Sequence, residues 1–94
     1  MYVYILRCRD GSLYTGYTPD LQKRFREHTE GRGAKYTKSH PPIEISAAWQ
    51  TDNKQDALKL EYRIKQLAKA KKEQLISDPE YNMEKGFGIS ATRI

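Results

Sequence analysis

The dipeptide Asp10-Gly11 lies between two runs of β-forming residues and narrows the possible folds of this chain more than any other feature. Tyr2–Cys8 (YVYILRC) precedes it, and residues 12–17 (SLYTGY) follow it. Asp-Gly between two such runs is the strongest short-range signal for a β-hairpin. The sequence therefore predicts that the fold begins with an antiparallel hairpin.

The length of the turn decides which side chains meet across this hairpin. If residues 9–11 form a three-residue loop, Leu6 opposes Tyr14, and Tyr4 and Tyr14 become diagonal neighbours on one face. If the turn has only the two residues Asp10 and Gly11, the register shifts by one and the two tyrosines lie on opposite faces. The hairpin residues alone leave both registers open.

Helical and extended patterns alternate after the hairpin. Thr18, Pro19 and Asp20 combine an N-cap, a first-turn proline and an acid, which predicts a helix over 19–30. Residues 34–40 are predicted to form at most a turn of helix before the prolines at 41 and 42. A third strand is predicted over 43–51, and a long helix over 54–70 that Asp52 or Asn53 caps.

The predicted fold class is α/β, with a small three-stranded antiparallel sheet flanked by helices in the order β-β-α-β-α. Residues 71–76 are a candidate for an extra C-terminal helix. Neither face of the first strand is polar, so we expect helices on both faces of the sheet. In the third strand, one face is predicted to carry Ile43, Ile45, Ala47 and Trp49. One domain is expected over 1–77, followed by a loosely ordered tail over 78–94.

Charge and composition favour a nucleic-acid partner. The chain has 17 Lys and Arg against 12 Asp and Glu, a net charge of +5, which is the sign expected for binding to a polyanion. Its one cysteine, Cys8, excludes an internal disulfide and a cysteine-cluster metal site. The longest apolar run, residues 3–6, is too short for a signal or membrane segment, so we expect a cytoplasmic protein without a membrane partner.

Several side chains are placed to take part in chemistry. Arg24 and His28 are four residues apart and share one face of the first predicted helix. Glu61 lies at the edge of the inward arc of the long helix. Ordinary structural roles are the alternatives: Arg24 could pair with Glu27 or Asp20, Glu61 could pair with a lysine, and the tyrosines could simply pack in the sheet.

The segment 32–40 (RGAKYTKSH), here named the basic segment, mixes cationic and aromatic side chains. This mixture suits contacts with phosphates and bases. Its candidate nucleic-acid-binding residues are Arg32, Lys35, Tyr36, Lys38 and His40. A second basic stretch, residues 65–72, can be explained as a solvated helix end that complements the helix dipole.

Together these residues resemble the GIY-YIG nuclease superfamily. Residues 2–4 (YVY) occupy the first signature and residues 14–16 (YTG) the second, and T-P-D-L-x-x-R at 18–24 is followed by His28 and Glu61. The resemblance covers about residues 2–76 and is greatest to small single-domain members that are little characterised. Tyr2 and Val3 replace the glycine and isoleucine of the first signature, while Tyr4 is kept. The resemblance implies that the two tyrosines converge, which selects the three-residue loop.

The resemblance implies a role for each candidate residue. Glu61 would hold one Mg²⁺ or Mn²⁺ ion, which binds through few carboxylates and keeps waters for a phosphate to displace. Arg24 would neutralise the charge that grows on the scissile phosphate. Tyr4, helped by Tyr14, would orient or deprotonate the attacking water, and His28 would relay the proton or contact phosphate.

The activity implied is that of a divalent-metal-dependent nuclease that hydrolyses phosphodiester bonds in DNA, with structure-directed cleavage in repair as its role. The alternative is a module that binds DNA or RNA and keeps the fold but cleaves weakly or not at all. DNA is favoured over RNA as the partner. Relatives usually join this domain to a targeting domain, so a protein partner could supply specificity.

Some relatives also use an asparagine after the acid, and Asn82 is the only later asparagine.

Overall fold

The computed structural model describes residues 1–94 and contains four strands and five helices. The strands are β1 (Tyr2–Cys8), β2 (Leu13–Thr18), β3 (Pro42–Thr51) and β4 (Ala91–Arg93). The helices are α1 (Leu21–Thr29), α2 (Lys35–Ser39), α3 (Lys54–Lys65), α4 (Lys69–Ser77) and α5 (Met83–Phe87). The strands form one antiparallel sheet in the order β2-β1-β3-β4. None of the helices has the length and apolar character needed to cross a bilayer.

The hairpin of β1 and β2 has the three-residue loop. The Gly11 N–H donates to the Cys8 carbonyl at 2.9 Å, and Gly11 has a φ of 85°, a left-handed conformation that glycine adopts without a Cβ clash. Leu6 pairs with Tyr14. The register that places Tyr4 and Tyr14 on one face is therefore confirmed.

The sheet buries an apolar layer on each face, as the hairpin pattern predicted. On one face Val3 and Ile5 belong to the larger core, which they share with the inward residues of α3, namely Ala57, Leu60 and Ile64. On the other face Tyr4 and Leu6 form a smaller cluster, and the α1 residues Leu21 and Phe25 pack against it. The helices α1 and α3 thus cover opposite faces, and β2 is an edge strand between them.

The third strand does not keep one alternation along its length. The pairing of β1 with β3 skips Ser46, so this residue forms a bulge that reverses the side-chain pattern. Ala47 and Trp49 belong to the larger core, whereas Ile45 packs on the other face and Ile43 is 57% exposed. The prediction that these four residues share a face is wrong, because an alternating pattern gives no sign of a bulge.

Both long helices are shorter than predicted. Helix α1 begins at Leu21, and its N-cap is Asp20 instead of the predicted Thr18, because the Asp20 side chain accepts a hydrogen bond from the Lys23 N–H. Asn53 caps α3, which ends at Lys65, and the chain turns before α4 begins. Ala68, which lies beyond the end of α3, is consequently exposed. No glycine or proline marks this break, so the sequence does not signal it.

Residues 78–94 complete the fold. Strand β4 pairs with the end of β3, and Met83 and Ile89 are buried in the larger core. The Arg93 guanidinium donates to the carbonyls of Leu75 and Ile76 at 3.2 and 3.1 Å. The sheet therefore has four strands instead of the predicted three, and the order is β-β-α-α-β-α-α-α-β. These contacts correct the expectation of a loosely ordered tail, which arose because isolated apolar residues show no period.

Candidate active site

An aromatic cluster forms where β1, β2 and α1 meet. The ring centroid of Tyr4 lies 6.4 Å from that of Tyr14 and 5.7 Å from that of His28. The centroids of Tyr14 and His28 are 5.3 Å apart. Tyr4 and His28 are buried, whereas Tyr14 is half-buried. The fold therefore brings three of the five predicted catalytic residues into mutual contact.

Gly16 makes room for the Tyr4 ring across the hairpin. The two residues are paired between β1 and β2. A Cβ on Gly16 would overlap the Tyr4 hydroxyl oxygen and would lie 2.7 Å from Cζ of the ring. Only glycine therefore lets the Tyr4 side chain lie over β2 in this position, which gives the glycine of the second signature a steric role.

A chain of hydrogen bonds starts at the Tyr4 hydroxyl. Its oxygen lies 2.8 Å from Nε2 of His28, and Nδ1 of His28 lies 2.7 Å from Oγ1 of Thr37. The Thr37 hydroxyl donates in turn to the carbonyl of Ala34 at 2.9 Å. Three elements, β1, α1 and α2, thus meet through buried polar atoms.

The sequence did not single out Thr37, although it is almost fully buried and contacts His28. A threonine within a short polar segment is normally exposed, so composition gives no signal for it. Gly33 was missed in the same way, because a Cβ there would overlap Nδ1 of His28. A glycine and a threonine closely spaced before a strand are the only trace of this contact in the sequence.

Burial sets the protonation of the Tyr4 and His28 pair. Burial, together with the nearby Tyr14, raises the pKa of Tyr4 to about 12, although the adjacent Arg24 guanidinium opposes this shift. Burial and the positive charge of Arg24 lower the pKa of His28 to about 4. At neutral pH the tyrosine therefore keeps its proton and the histidine is uncharged.

Arg24 combines a structural ion pair with a place in the cluster. Its Nη1 atom lies 3.0 Å from Oε1 of Glu27, which is one of the pairings expected from the sequence. The guanidinium is also near enough to the Tyr4 hydroxyl to oppose the rise in the pKa of that tyrosine. With 33% of the side chain exposed, Arg24 retains N–H groups that can donate to an anion.

Glu61 projects from α3 at the edge of its buried face. Its side chain is 15% exposed, and one carboxylate oxygen lies 3.5 Å from Nζ of Lys65, so the ion pair considered from the sequence does form. The charge of Glu61 also contributes to the raised pKa of Tyr4. The carboxylate therefore acts on the aromatic cluster, although α3 packs against the other face of the sheet.

The basic segment lies beside this cluster and presents its cations on a concave surface. Arg32, Lys35 and Lys38 line a concavity that contains no apolar side chain. Arg32 also pairs with Glu30, whereas neither lysine has a carboxylate partner within 4.0 Å. The two lysines are thus the free cations of the segment.

The two aromatic residues of the basic segment extend the cluster toward the surface. The Tyr36 ring stacks on Tyr14 with centroids 5.9 Å apart, and His40 stacks on Tyr36 at 4.2 Å. Nδ1 of His40 lies 2.7 Å from a carboxylate oxygen of Asp10 in the hairpin loop. Tyr36 and His40 therefore join α2 to the hairpin, apart from the cationic concavity.

Comparison with known proteins decides the family. The model of the family described as the GIY-YIG catalytic domain matches residues 1–74 of the chain. The chain belongs to the GIY-YIG family. The family is one of nucleases. The match confirms the resemblance that the signatures at 2–4 and 14–16 indicated.

Curated relatives of this GIY-YIG chain are small proteins named UPF0213. The UPF0213 protein BH0048 of Halalkalibacterium halodurans is 50% identical over 76 residues, which cover 81% of each chain. The UPF0213 protein OB0043 of Oceanobacillus iheyensis is 52% identical over 79 residues, 84% of this chain and 92% of its own. A solution NMR structure of BH0048 shares 45% identity, covers 95% of both chains and has a TM-score of 0.55.

The possible metal ligands of this GIY-YIG domain are few, which suits a cation that also binds to the substrate. No three His, Cys, Asp or Glu side chains come together in a group that could hold a metal. A zinc site, which uses at least three protein ligands, therefore does not fit. A single carboxylate such as Glu61 suits Mg²⁺ or Mn²⁺, which retain waters and bind substrate phosphates.

Asn82 takes a structural place in this GIY-YIG chain. It is the N-cap of α5, and its side-chain oxygen accepts a hydrogen bond from the Lys85 N–H at 3.0 Å. The amide is thus used in helix capping.

Proposed function

We propose that this chain is a divalent-metal-dependent nuclease that hydrolyses phosphodiester bonds in DNA. The observation that carries the proposal is the 2.8 Å hydrogen bond between Tyr4 and His28, with Arg24 beside the same hydroxyl. A proton acceptor, a proton donor and a fixed guanidinium are the groups that hydrolysis of a phosphate ester needs.

Arg24 is the residue we assign to the scissile phosphate. Its guanidinium is held by Glu27, so little reorganisation is needed when negative charge develops nearby. Lys35 and Lys38 would neutralise neighbouring phosphates of the same strand. In this arrangement the nucleic-acid backbone runs over the basic segment toward the aromatic cluster.

Tyr4 and His28 are the groups we assign to water activation. A tyrosine with a pKa of about 12 is a poor base if it must form a free phenolate at neutral pH. Tyr4 avoids this if it takes a proton from the attacking water while its own proton passes to Nε2 of His28, whose pKa a bound phosphate would raise from its value of about 4 in the free protein. Tyr14 is the more exposed of the two tyrosines, so we assign it to orienting the water.

Glu61 is the residue we assign to the metal ion. Its carboxylate would hold one Mg²⁺ or Mn²⁺, which when bound supplies Lewis-acid stabilisation of the charge on the phosphate oxygens. Lys65 would have to move away from this carboxylate, and its side chain is 47% exposed and therefore free to do so.

We extend the proposal to structure-directed cleavage of DNA in repair. The free cations Lys35 and Lys38 suit phosphates, and contacts with phosphate fix the register of a duplex without reading its sequence. A protein partner that supplies specificity, and a cytoplasmic location, belong to the same proposal.

Cleavage of a panel of labelled DNA and RNA structures, with Mg²⁺ or Mn²⁺, tests the proposal. We expect the wild type to cut branched or flapped DNA and both Glu61→Ala and Arg24→Ala to lose this activity. Glu84→Ala, an exposed acid on α5, is the matched control and should cut normally. Activity that survives both site substitutions overturns the mechanism. A wild type that binds nucleic acid in a salt-dependent way but never cuts supports the alternative of a binding module.

A further inference from the structure

Thr37 is the one buried residue of α2, with 1% of its surface exposed. Its Oγ1 atom lies between Nδ1 of His28 at 2.7 Å and the Ala34 carbonyl at 2.9 Å. Gly33 allows this approach, because a side chain there would overlap the imidazole. The hydroxyl therefore has two short contacts, one with a histidine nitrogen and one with an acceptor only.

Counting protons on these atoms assigns the tautomer. A threonine hydroxyl has one proton, and a carbonyl can only accept, so the Thr37 proton belongs to the bond with Ala34. Oγ1 must then accept from His28, which places the single proton of the neutral imidazole on Nδ1. Nε2 is left without a proton, and it accepts the hydrogen bond from the Tyr4 hydroxyl.

The other tautomer leaves a more deeply buried donor, the Tyr4 hydroxyl, without an acceptor. With the proton on Nε2, the Thr37 hydroxyl would turn to Nδ1, and the Ala34 carbonyl would keep only the bond from the Lys38 N–H at 3.2 Å. The Tyr4 proton would lose its acceptor as well, although only 2% of Tyr4 is exposed. In exchange, the Ala34 N–H would gain Nδ1 as an acceptor at 3.4 Å, which is long for a hydrogen bond. Leaving the buried Tyr4 hydroxyl proton without a partner costs about 1–3 kcal/mol, which outweighs one long bond to the half-buried Ala34 N–H, so the first arrangement prevails.

We infer that Thr37 is a positioning residue that fixes the tautomer of His28 and so makes Nε2 the acceptor for the Tyr4 proton. The tautomer follows from contacts alone, and only its catalytic consequence rests on the proposed function. Thr37 lies between Tyr36 and Lys38, inside the basic segment. The segment we assign to nucleic-acid contact therefore also carries the residue that sets the acceptor at the reacting tyrosine.

Nitrogen-15 NMR of the imidazole rings tests the tautomer directly. In the wild type at pH 7, two-bond proton–nitrogen spectra should show a protonated Nδ1 and an unprotonated Nε2 for His28. Thr37→Ser should keep this pattern, Thr37→Val should shift the ring toward the Nε2–H form, and Thr92→Val, an exposed threonine on β4, should leave it unchanged. A wild-type ring protonated at Nε2 overturns the inference, and so does an unchanged pattern in a folded Thr37→Val protein.

The wild-type spectrum decides the question even if Thr37→Val does not fold, because it needs no substitution. In cleavage assays Thr37→Val should lose roughly 10-fold or more in kcat with KM nearly unchanged, as when a partner that orients a functional histidine is removed, and Thr37→Ser should restore it. If the wild type cuts no substrate, the proposed function fails. The NMR spectrum still decides the tautomer of His28, because it does not depend on cleavage.

Discussion

The Tyr4 hydroxyl and Nε2 of His28 are 2.8 Å apart in the interior, where the two residues are 2% and 1% exposed. Each group keeps the other in its neutral form, because the histidine can accept the bond only while uncharged. Burial shifts their pKa values in opposite directions, to about 12 for the tyrosine and about 4 for the histidine. The proton of this hydrogen bond therefore belongs to Tyr4 at every pH near neutrality.

Stability should fall as the pH is lowered, because of His28. Its pKa is about 4 in the folded protein, against an ordinary value of 6.5, so between these values the unfolded chain binds more protons than the folded one. The free energy of unfolding therefore rises with pH in this window. On acidification it falls by about 1.4 kcal/mol per pH unit. Of the charged neighbours, Arg24 lowers this pKa and Glu27 raises it. Urea unfolding at pH 7, 6 and 5 measures the slope.

The protein has only two histidines, and His40 provides the control. His40→Gln should keep the slope between pH 5 and 6.5, whereas His28→Gln should remove it. Carboxylates contribute little in this window, since they titrate at lower pH. An identical slope in both variants would show that His28 is not the group responsible.

Tyr4→Phe should distinguish the contribution of the Tyr4 hydroxyl from that of its ring. The ring keeps its packing, but Nε2 of His28 loses its donor, which costs about 1–3 kcal/mol of stability. If Tyr4 activates water, the rate of cleavage should fall by roughly 100-fold or more. Tyr62→Phe, at a tyrosine that is 63% exposed, should change neither quantity. Cleavage at the wild-type rate by Tyr4→Phe would remove the tyrosine from the mechanism.

The parts of the fold that depend on near neighbours in the sequence could be predicted. Asp10-Gly11 predicted the hairpin, and Asn53, one of the two expected caps of the long helix, caps α3 with a hydrogen bond of its own. The bulge at Ser46 could not be predicted, because it arises from pairing with β1. The places of Met83 and Ile89 depend on contacts with distant parts of the larger core.

The candidate site divides in the same way. Tyr4, Tyr14 and His28 could be named because their spacing matches a known pattern, and the structure brings their rings together. Thr37 and Gly33 could not be named, because their importance comes only from the approach of α2 to His28. Spacing within one element identifies reacting groups, whereas the groups that orient them become visible in three dimensions.

Thr15→Val should stabilise the protein. Oγ1 of Thr15 is buried on β2 and has no hydrogen-bond partner, so replacing the hydroxyl with a methyl group of similar size removes a desolvation cost of about 1–3 kcal/mol. Thr18 is the matched control on the same strand, because its hydroxyl exchanges hydrogen bonds with Asp20. Thr18→Val should destabilise by about 1 kcal/mol. Equal effects of the two substitutions in urea unfolding would contradict this account.

Removing the free cations of the basic segment should weaken binding and its dependence on salt. Each Lys or Arg that neutralises a phosphate of duplex DNA contributes about 0.9 to the slope of log affinity against log salt. Lys35→Ala/Lys38→Ala should therefore reduce that slope by about 2. Lys54→Ala/Lys59→Ala removes the same charge from the exposed surface of α3 and should change the slope little. Equal losses in both double variants would assign binding to net charge instead of to this surface.

Arg93→Ala should loosen the end of the chain and lower global stability. Arg93 lies over the Trp49 ring at 5.3 Å and donates to the carbonyls of Leu75 and Ile76. Losing these bonds and the ring contact should cost about 2 kcal/mol. Arg93→Lys should recover only part, because an ammonium lacks the planar fork that reaches both carbonyls. Arg9→Ala, in the exposed hairpin loop, is the control. Urea unfolding and limited proteolysis of residues 78–94 measure the effect, and an unchanged protein would mean that the Arg93 side chain contributes nothing to stability.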